Sequence, residues 1–283
     1  MPFPRVKDYH KPDQPLIPNC YGIFYALISV CYLFALYFVG IMRNEALALS
    51  TSVLFGSTMG LFDDMVDLRW RYKAILPIFA ALPYAVLNPS ERFTISFPLW
   101  GVVDLGPYFF VLLVPIIVTV TTNTYNQLGG LNGLESLSGL IILGGLTLAS
   151  GSFILTLVPM ICLVVLGYLS FTGKLFIGNV GTFSIGLTLA VYAILMNLKL
   201  FLLIALLPFV LNSIMILFSN YFFHEKATTT LDEKGLLYSH KARSLRTLIL
   251  HYKRFTEPQI VIVICSIIAA FTALAYFQQV LFI

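Results

Sequence analysis

Charge is scarce in this chain: 11% of its 283 residues are Asp, Glu, Lys or Arg, against about 25% in soluble globular chains. So little charge cannot clothe a solvated surface, which excludes a soluble globular protein. The net charge of +4 is modest and implies no nucleic-acid partner. Cysteine is sparse and scattered: Cys20, Cys31, Cys162 and Cys265 form no C-x-x-C pair, so neither a zinc site nor a disulfide framework is expected. All four read as small apolar packing residues. The four histidines, His10, His224, His240 and His251, lack metal-ligand spacing, and only His224 stands out, following directly on an apolar run and preceding Glu225 and Lys226. Strands of alternating polarity are missing, which excludes an outer-membrane barrel. No apolar core follows the basic residues of Met1 to Asn19, so no cleavable signal peptide is expected there, and no internal repeat is visible.

What the chain has instead is apolar length. Hydrophobic residues make up 59% of it, in runs long enough to cross a bilayer as helices. The expected fold is all-α: one polytopic membrane bundle over residues 1–283, with about nine transmembrane helices. These lie near residues 21–40, 46–62, 74–88, 107–124, 133–150, 152–171, 181–197, 199–221 and 258–281. Breaks fall at Arg43-Asn44-Glu45, Asn88-Pro89-Ser90, Gly129-Gly130, Gly151-Ser152 and Asn197-Leu198-Lys199. With that topology, 14 of the 17 lysines and arginines share a side with the N-terminus, leaving Arg43, Arg92 and Lys199 opposite. The basic side is the cytoplasmic one. Residues 1–20 form a cytoplasmic N-terminal loop and 222–257 a basic cytoplasmic loop. In the latter, Leu245, Leu248, Ile249 and Tyr252 are spaced for an interfacial amphipathic helix within Ser239 to Arg254. Ser90 to Gly106, with Phe93, Phe97, Pro98 and Trp100, is expected to rest externally at the interface.

Against this background Gly60 to Lys73 is anomalous, with Asp63, Asp64, Asp67, Arg69, Arg71 and Lys73 in eleven residues. A charge at the bilayer centre costs roughly 2.5 to 3.5 kcal/mol on insertion scales. The cluster therefore belongs at the water boundary or in a polar cavity. On a helix, Asp63 and Asp67 lie at i, i+4 and Asp64 and Asp67 at i, i+3. Hard oxygen ligands so grouped suit Mg²⁺ bridging to a phosphate, and equally suit a solvated helix end whose acids pair with Arg69, Arg71 and Lys73.

Three further segments share the basic side. Asn123 to Glu135 carries Asn123, Asn126 and Asn132 around Gly129-Gly130, apt either for cation and base contacts or for interhelical packing. Gly178-Asn179-Val180-Gly181-Thr182 has the form of a phosphate-approaching turn at a helix start, or of a plain hairpin. The third is the basic loop.

In order and spacing these segments resemble the polyprenyl-phosphate N-acetylhexosamine-1-phosphate transferases. The likeness is strongest to their UDP-N-acetylglucosamine:dolichyl-phosphate branch and covers nearly the whole chain. Gly60 to Lys73 is similar to the family's Asp-Asp-x-x-Asp signature with Leu68-Arg69-Trp70-Arg71, Asn123 to Glu135 to its Asn-x-x-Asn…Gly-x-Asn-Gly-Leu-Glu signature, and Phe176 to Thr182 to its Phe-x-Gly-Asp motif. The resemblance implies transfer of sugar-1-phosphate from a UDP-sugar to a polyprenyl phosphate with Mg²⁺, releasing UMP. It implies that Asp63 and Asp64 orient or deprotonate the lipid phosphate, that Lys73 binds phosphate, that Asn126 ligates Mg²⁺ and that Asn132 meets the uracil. Asn123, Gly133 and Glu135 come with the same signature, and the role of Asp67 varies within the family.

Three departures from the family pattern stand out. Asn179 replaces the family's metal-binding Asp. The stretch matching the loop's Arg/His group reads Phe223-His224-Glu225-Lys226, leaving His224 and Lys226 for the pyrophosphate. The family's usual ten helices include one before the loop that Asp8 to Gly22 resembles, and this chain begins inside that loop. The alternatives to an active transferase are an impaired relative that binds polyprenyl phosphate or nucleotide sugar as a partner subunit, and a transporter. Charges gathered at one face, rather than at mid-membrane, disfavour the transporter. A cell or endoplasmic reticulum membrane is implied, with homodimer or partner subunit left open.

Overall fold

The computed structural model describes residues 3–87, 94–97, 101–106, 108–224 and 228–282. A short antiparallel hairpin, β1 (Arg5–Lys7) and β2 (Leu16–Pro18), precedes α1 (Gly22–Val39) and α2 (Arg43–Val66). The next stretch is a broken helix: α3 (Trp70–Ile75), a 3₁₀ segment over Leu76–Ala81, and α4 (Leu82–Leu87). Pro77 and Pro83, which lack an amide to donate, account for that fragmentation. The hairpin of β3 (Thr94–Phe97) and β4 (Gly101–Asp104) follows, then a π-helical turn at Phe109–Leu113 that leads into α5 (Val114–Leu128). Next come α6 (Leu134–Ser150), α7 (Leu157–Phe171), α8 (Gly178–Leu195), α9 (Lys199–Ala205) and α10 (Leu207–Phe218), the last closing in a π turn at Ser219–Phe223. The paired strands β5 (Thr230–Leu231) and β6 (Leu237–Tyr238), α11 (Leu245–Tyr252) and α12 (Glu257–Phe282) complete the chain.

The core is α8, whose residues from Val180 to Ile194 are all buried. A helix apolar on every side belongs inside a bundle, and its small residues let neighbours approach closely. At Gly22 a Cβ would lie 2.1 Å from Gly181 Cα, so α1 and α8 meet backbone to backbone. Polar side chains inside the bundle are satisfied locally or across helices, as where Tyr25 donates to Thr188 at 2.8 Å.

Five helical stretches are long and apolar enough to cross a membrane: Gly22–Val39, Arg43–Val66, Phe109–Leu128, Gly178–Leu195 and Glu257–Leu281. The pair α9 and α10, bent by 56° where Pro208 follows the break at Leu206, makes a sixth if counted as one span. Two more, α6 and α7, are apolar but shorter, at 17 and 15 residues. The nine expected stretches are thus all helical among the described residues, while length and apolarity qualify five or six of them as spans. The segment expected at 152–171 starts only at Leu157, because Gly151 turns left-handed (φ 66°) and the chain folds through a turn first.

Two other expectations change. The external loop contains the β3–β4 hairpin, with Thr94 opposite Asp104; Asn88, Pro89, Ser90, Arg92, Phe93, Pro98 and Trp100 lie outside the described residues. The amphipathic helix is α11 alone. Its buried edge is Ser244, Thr247 and Leu250, while Tyr252 is exposed, because the helix seats against α10 and β6 as well as presenting a surface.

Candidate active site

The site begins where α2 ends. Gly60 is what lets α2 reach α8: a Cβ there would sit 2.4 Å from the Asn179 carbonyl oxygen. One turn on, Asp64 accepts hydrogen bonds from the Asn179 N–H (2.9 Å, Oδ1) and the Val180 N–H (3.0 Å, Oδ2). Its carboxylate thus caps the first turn of the central helix, where unpaired amides and the helix dipole favour an anion. Gly178 (φ 68°) makes the tight entry, and a Cβ there would lie 2.6 Å from Asp64 Oδ2. Of the two forms open to it, the glycine-bounded turn is therefore a helix start rather than a plain hairpin, but two of its N–H groups are held by Asp64 rather than open to a phosphate.

Asp63 takes another direction. Its side chain is fully buried, accepts from the Leu68 N–H at 2.9 Å, and pairs with Lys73 Nζ at 2.8 Å, while Oδ2 has no hydrogen-bond partner among the described residues. The helix stops at Val66, and Asp67 adopts a left-handed conformation (φ 50°) with its carboxylate exposed, 3.5 Å from Lys73. The three acids therefore do not share a face: Asp63 and Asp67 flank Lys73, and Asp64 faces α8. Arg69 and Arg71 are exposed and pair with none of the three.

On α5, Asn126 Oδ1 accepts from the Thr182 hydroxyl of α8 at 2.7 Å. Asn123 lies back along its own helix, donating to the Thr119 carbonyl at 2.9 Å. After the break, the Gly130 N–H donates to Glu135 Oε1 at 2.6 Å, and the Gly133 N–H to Ser170 Oγ at 3.0 Å. Asn132 is buried in a network that joins distant parts of the chain. Its Nδ2 donates to Asp8 Oδ2 (2.8 Å) and Glu257 Oε2 (2.7 Å), and its N–H to Glu257 Oε1 (2.9 Å). Lys11 Nζ stands 3.2 Å from Asp8 and His10 Nδ1 3.3 Å from Glu257. Asp8, His10 and Glu257 are close enough to share a cation, but both carboxylates already meet donors, so the group reads as a latch holding the N-terminal strap to the bundle.

These elements enclose a cavity of about 520 Å³ whose wall includes Asp8, His10, Asp64, Asn126, Glu135, Asn179, Thr182 and Arg246. Burial, with the charge of Asp64 nearby, pushes the Cys20 thiol up to about 12. Burial also pulls the Arg246 guanidinium below its ordinary value, against the opposing charges of Glu135 and Glu257.

Of the residues singled out from sequence, Asp64, Asn126, Glu135 and Asn179 meet on this wall. Asp63, Lys73, Asn123, Asn132 and Gly133 stand outside the lining, and so does His224, which is exposed in a left-handed turn after the α10 π turn. Lys226 and Glu225 lie outside the described residues. Sequence reasoning missed Asp8, His10, Glu257, Cys20 and Arg246. Glu257 carried a signal, an acid opening a long apolar run; Arg246 is one of several basic residues in the Ser239 to Arg254 stretch, and nothing in the spacing sets it apart. Cys20 packs as expected of a small apolar residue, yet beside Asp64, whereas Cys31 is exposed.

The model of glycosyl transferase family 4 matches residues 46–197, a span that holds Asp63, Asp64, Lys73, Asn126, Glu135 and Asn179. A protein of Saccharolobus solfataricus provisionally named UDP-N-acetylglucosamine--dolichyl-phosphate N-acetylglucosaminephosphotransferase is 31% identical, over 96% of this chain and 87% of its own length. The Dictyostelium discoideum enzyme of that name is 32% identical over 69% of this chain and 59% of its own length. A phospho-N-acetylmuramoyl-pentapeptide-transferase of Acetivibrio thermocellus is 28% identical over 66% and 62%. With more than half its length under the family model and an archaeal relative aligned almost end to end, this integral membrane protein belongs to glycosyl transferase family 4.

Proposed function

We propose that the protein transfers N-acetylglucosamine-1-phosphate, or a related sugar-1-phosphate, from a UDP-sugar to a polyprenyl or dolichyl phosphate at the cytoplasmic face, releasing UMP. The observation that carries this reading is the convergence of Asp64, Asn126, Glu135, Asn179 and Arg246 on one cavity at the end of an apolar bundle. A polar chamber there suits one water-soluble and one membrane-borne substrate. In the reaction a lipid-phosphate oxygen forms a bond to the sugar-bearing phosphorus, and the bond from that phosphorus to the bridging oxygen breaks, so the electron pair leaves with UMP. The protein's task is to align two anions and offset their charge.

The donor set fits a hard divalent ion. Each Asp64 oxygen spends one acceptor site on an α8 amide, and Asn126 Oδ1 spends one on Thr182, leaving oxygen lone pairs beside Asn179. Asp64, Asn126 and Asn179 would hold Mg²⁺, which supplies charge neutralisation on the diphosphate. Lys73, held between Asp63 and Asp67 but partly exposed, is suited to meet the lipid phosphate, and buried Asp63 to aim Lys73. Asn132, which the resemblance sets against the uracil, is buried behind the cavity wall with its donors given to Asp8 and Glu257, so in this arrangement it acts by holding the N-terminal strap in place.

The test is UMP release from UDP-N-acetylglucosamine by the purified protein with polyprenyl phosphate and Mg²⁺. The reading expects release that needs the ion and falls about 100-fold or more in Asp64→Asn; no release above background overturns it. A second reading, an impaired relative serving as a binding subunit, is favoured by the neutral Asn179. It expects UMP only from the Asn179→Asp variant.

A further inference from the structure

We propose that Arg246 binds a substrate phosphate; this rests on the transferase reading above. The argument starts from the charge of the cavity. Asp8, Asp64 and Glu135 are on its wall, so a diphosphate or phosphate monoester entering it needs a cation. His10 is turned to Glu257, and Lys7 sits on the exposed β1 strand. Among the described residues of that wall Arg246 remains, half-buried at the cavity edge.

Its donors are largely free. Among the described residues the guanidinium makes one long hydrogen bond, Nη1 to the Gly130 carbonyl at 3.4 Å, and no carboxylate stands within ion-pairing reach. A guanidinium has five N–H donors in a planar fork, so four are uncommitted. The fork matches phosphate oxygens in pairs.

Its placement is built. Ser244 and Thr247 close a capping box around the start of α11: the Ser244 N–H donates to Thr247 Oγ1 at 2.8 Å, and the Thr247 N–H to Ser244 Oγ at 3.2 Å. Asn212 of α10 accepts from the Leu245 N–H at 3.0 Å and donates to the Gln127 carbonyl of α5 at 3.4 Å. Arg246 is thereby fixed relative to both α5 and α10. His224, by contrast, is exposed beyond the π turn and does not line the cavity.

Arg246 also borders a second cavity, about 250 Å³, lined by Gln127, Asn212, Ile216, Asn220 and Ser244. Arg246 thus borders both the larger cavity, which Asp64 and Asn179 also line, and the α5–α10 cleft. The phosphate it holds is that of the nucleotide or that of the lipid, and binding measurements separate the two.

The experiment compares wild type, Arg246→Gln and Arg246→Lys in detergent micelles. Calorimetry measures affinity for UDP, for uridine and for a short-chain polyprenyl phosphate, and melting temperature is followed in parallel. The expectation is that Arg246→Gln loses about tenfold or more in affinity for UDP or for the polyprenyl phosphate, whichever supplies the anion, with partial recovery in Arg246→Lys and uridine binding unchanged. Unaltered affinity for both phosphates overturns the proposal. So does an equal loss for UDP and uridine with a lowered melting temperature, which marks a purely structural tie to Gly130. Because these are binding readouts, a protein that binds UDP through Arg246 yet releases no UMP sinks the transferase reading and leaves this one standing.

Discussion

Asp63 and Asp64 are adjacent in sequence and opposite in circumstance. Asp63 is buried and answered by the partly exposed Lys73 at 2.8 Å; removing the lysine strands a buried charge, at a cost below the about 3 to 5 kcal/mol of a fully buried pair. Lys73→Met should therefore lower the thermal midpoint markedly, and adding Asp63→Asn should restore much of it, a coupling that a double-mutant cycle of melting curves measures. Asp64→Asn carries a different cost. Its amide can accept only one of the two α8 N–H groups, and the other faces an NH₂, a loss of about 1 to 3 kcal/mol that amide hydrogen exchange at Asn179 and Val180 should register. The sequence spacing made the acids conspicuous and grouped them through Asp67, because i, i+3 and i, i+4 reasoning presumes an unbroken helix; α2 ends at Val66, so Asp67 leaves the helix, and Asp63 and Asp64, as successive helical positions, point different ways.

Between elements, the decisive contacts are close approaches and caps. Gly60→Ala forces a methyl to within 2.4 Å of a carbonyl oxygen, so α2 must move from α8; overpacking of this kind costs about 1 to 3 kcal/mol. Transferase activity should fall along with the melting temperature, because Asp64 moves with the helix. In the basic loop, Asp232 accepts from the Leu236 and Lys234 amides and pairs with Arg254 at 3.0 Å. The Leu236 hydrogen bond leads in holding its carboxyl below the usual value. A depressed carboxyl stabilises the folded loop above its ordinary titration range, near pH 4, and that contribution disappears as pH falls through the lower folded value. Amide exchange at Leu236, taken relative to the intrinsic rate at each pH, should thus speed up below about pH 4 in wild type, and Asp232→Asn should show the faster exchange at every pH. Helix positions were legible from apolar runs alone. The breaks at Pro77, Pro83 and Pro208 needed the proline positions taken as seriously as the hydropathy.

At the scale of the whole molecule, helix ends fall into two sets. One gathers Asp64, Gly130, Glu135, Phe176, Gly178 and Arg246 around the cavity; the other includes Tyr192 with Ser150, and Lys199 over the Phe109 ring. From the lysine and arginine asymmetry, the cavity end is expected on the cytoplasmic side. Single-cysteine probes at exposed Tyr9 and Lys241 should react with an impermeant maleimide from the same side, and one at Arg43 from the other; a mixed pattern would refute the orientation. The motif residues at this end could be read from the chain because their chemistry is odd for lipid. The latch of Asp8, Asn132 and Glu257 could not, since its members are more than a hundred residues apart and no spacing in the chain pairs them.

The carboxylate of Asp64 closes the end of α8 and fronts the cavity with the same pair of oxygens. Ligand affinity and the seating of the central helix are consequently one property, not two. Substrate range should therefore diversify on the Arg246 side of the chamber, where a changed side chain leaves the bundle's axis undisturbed.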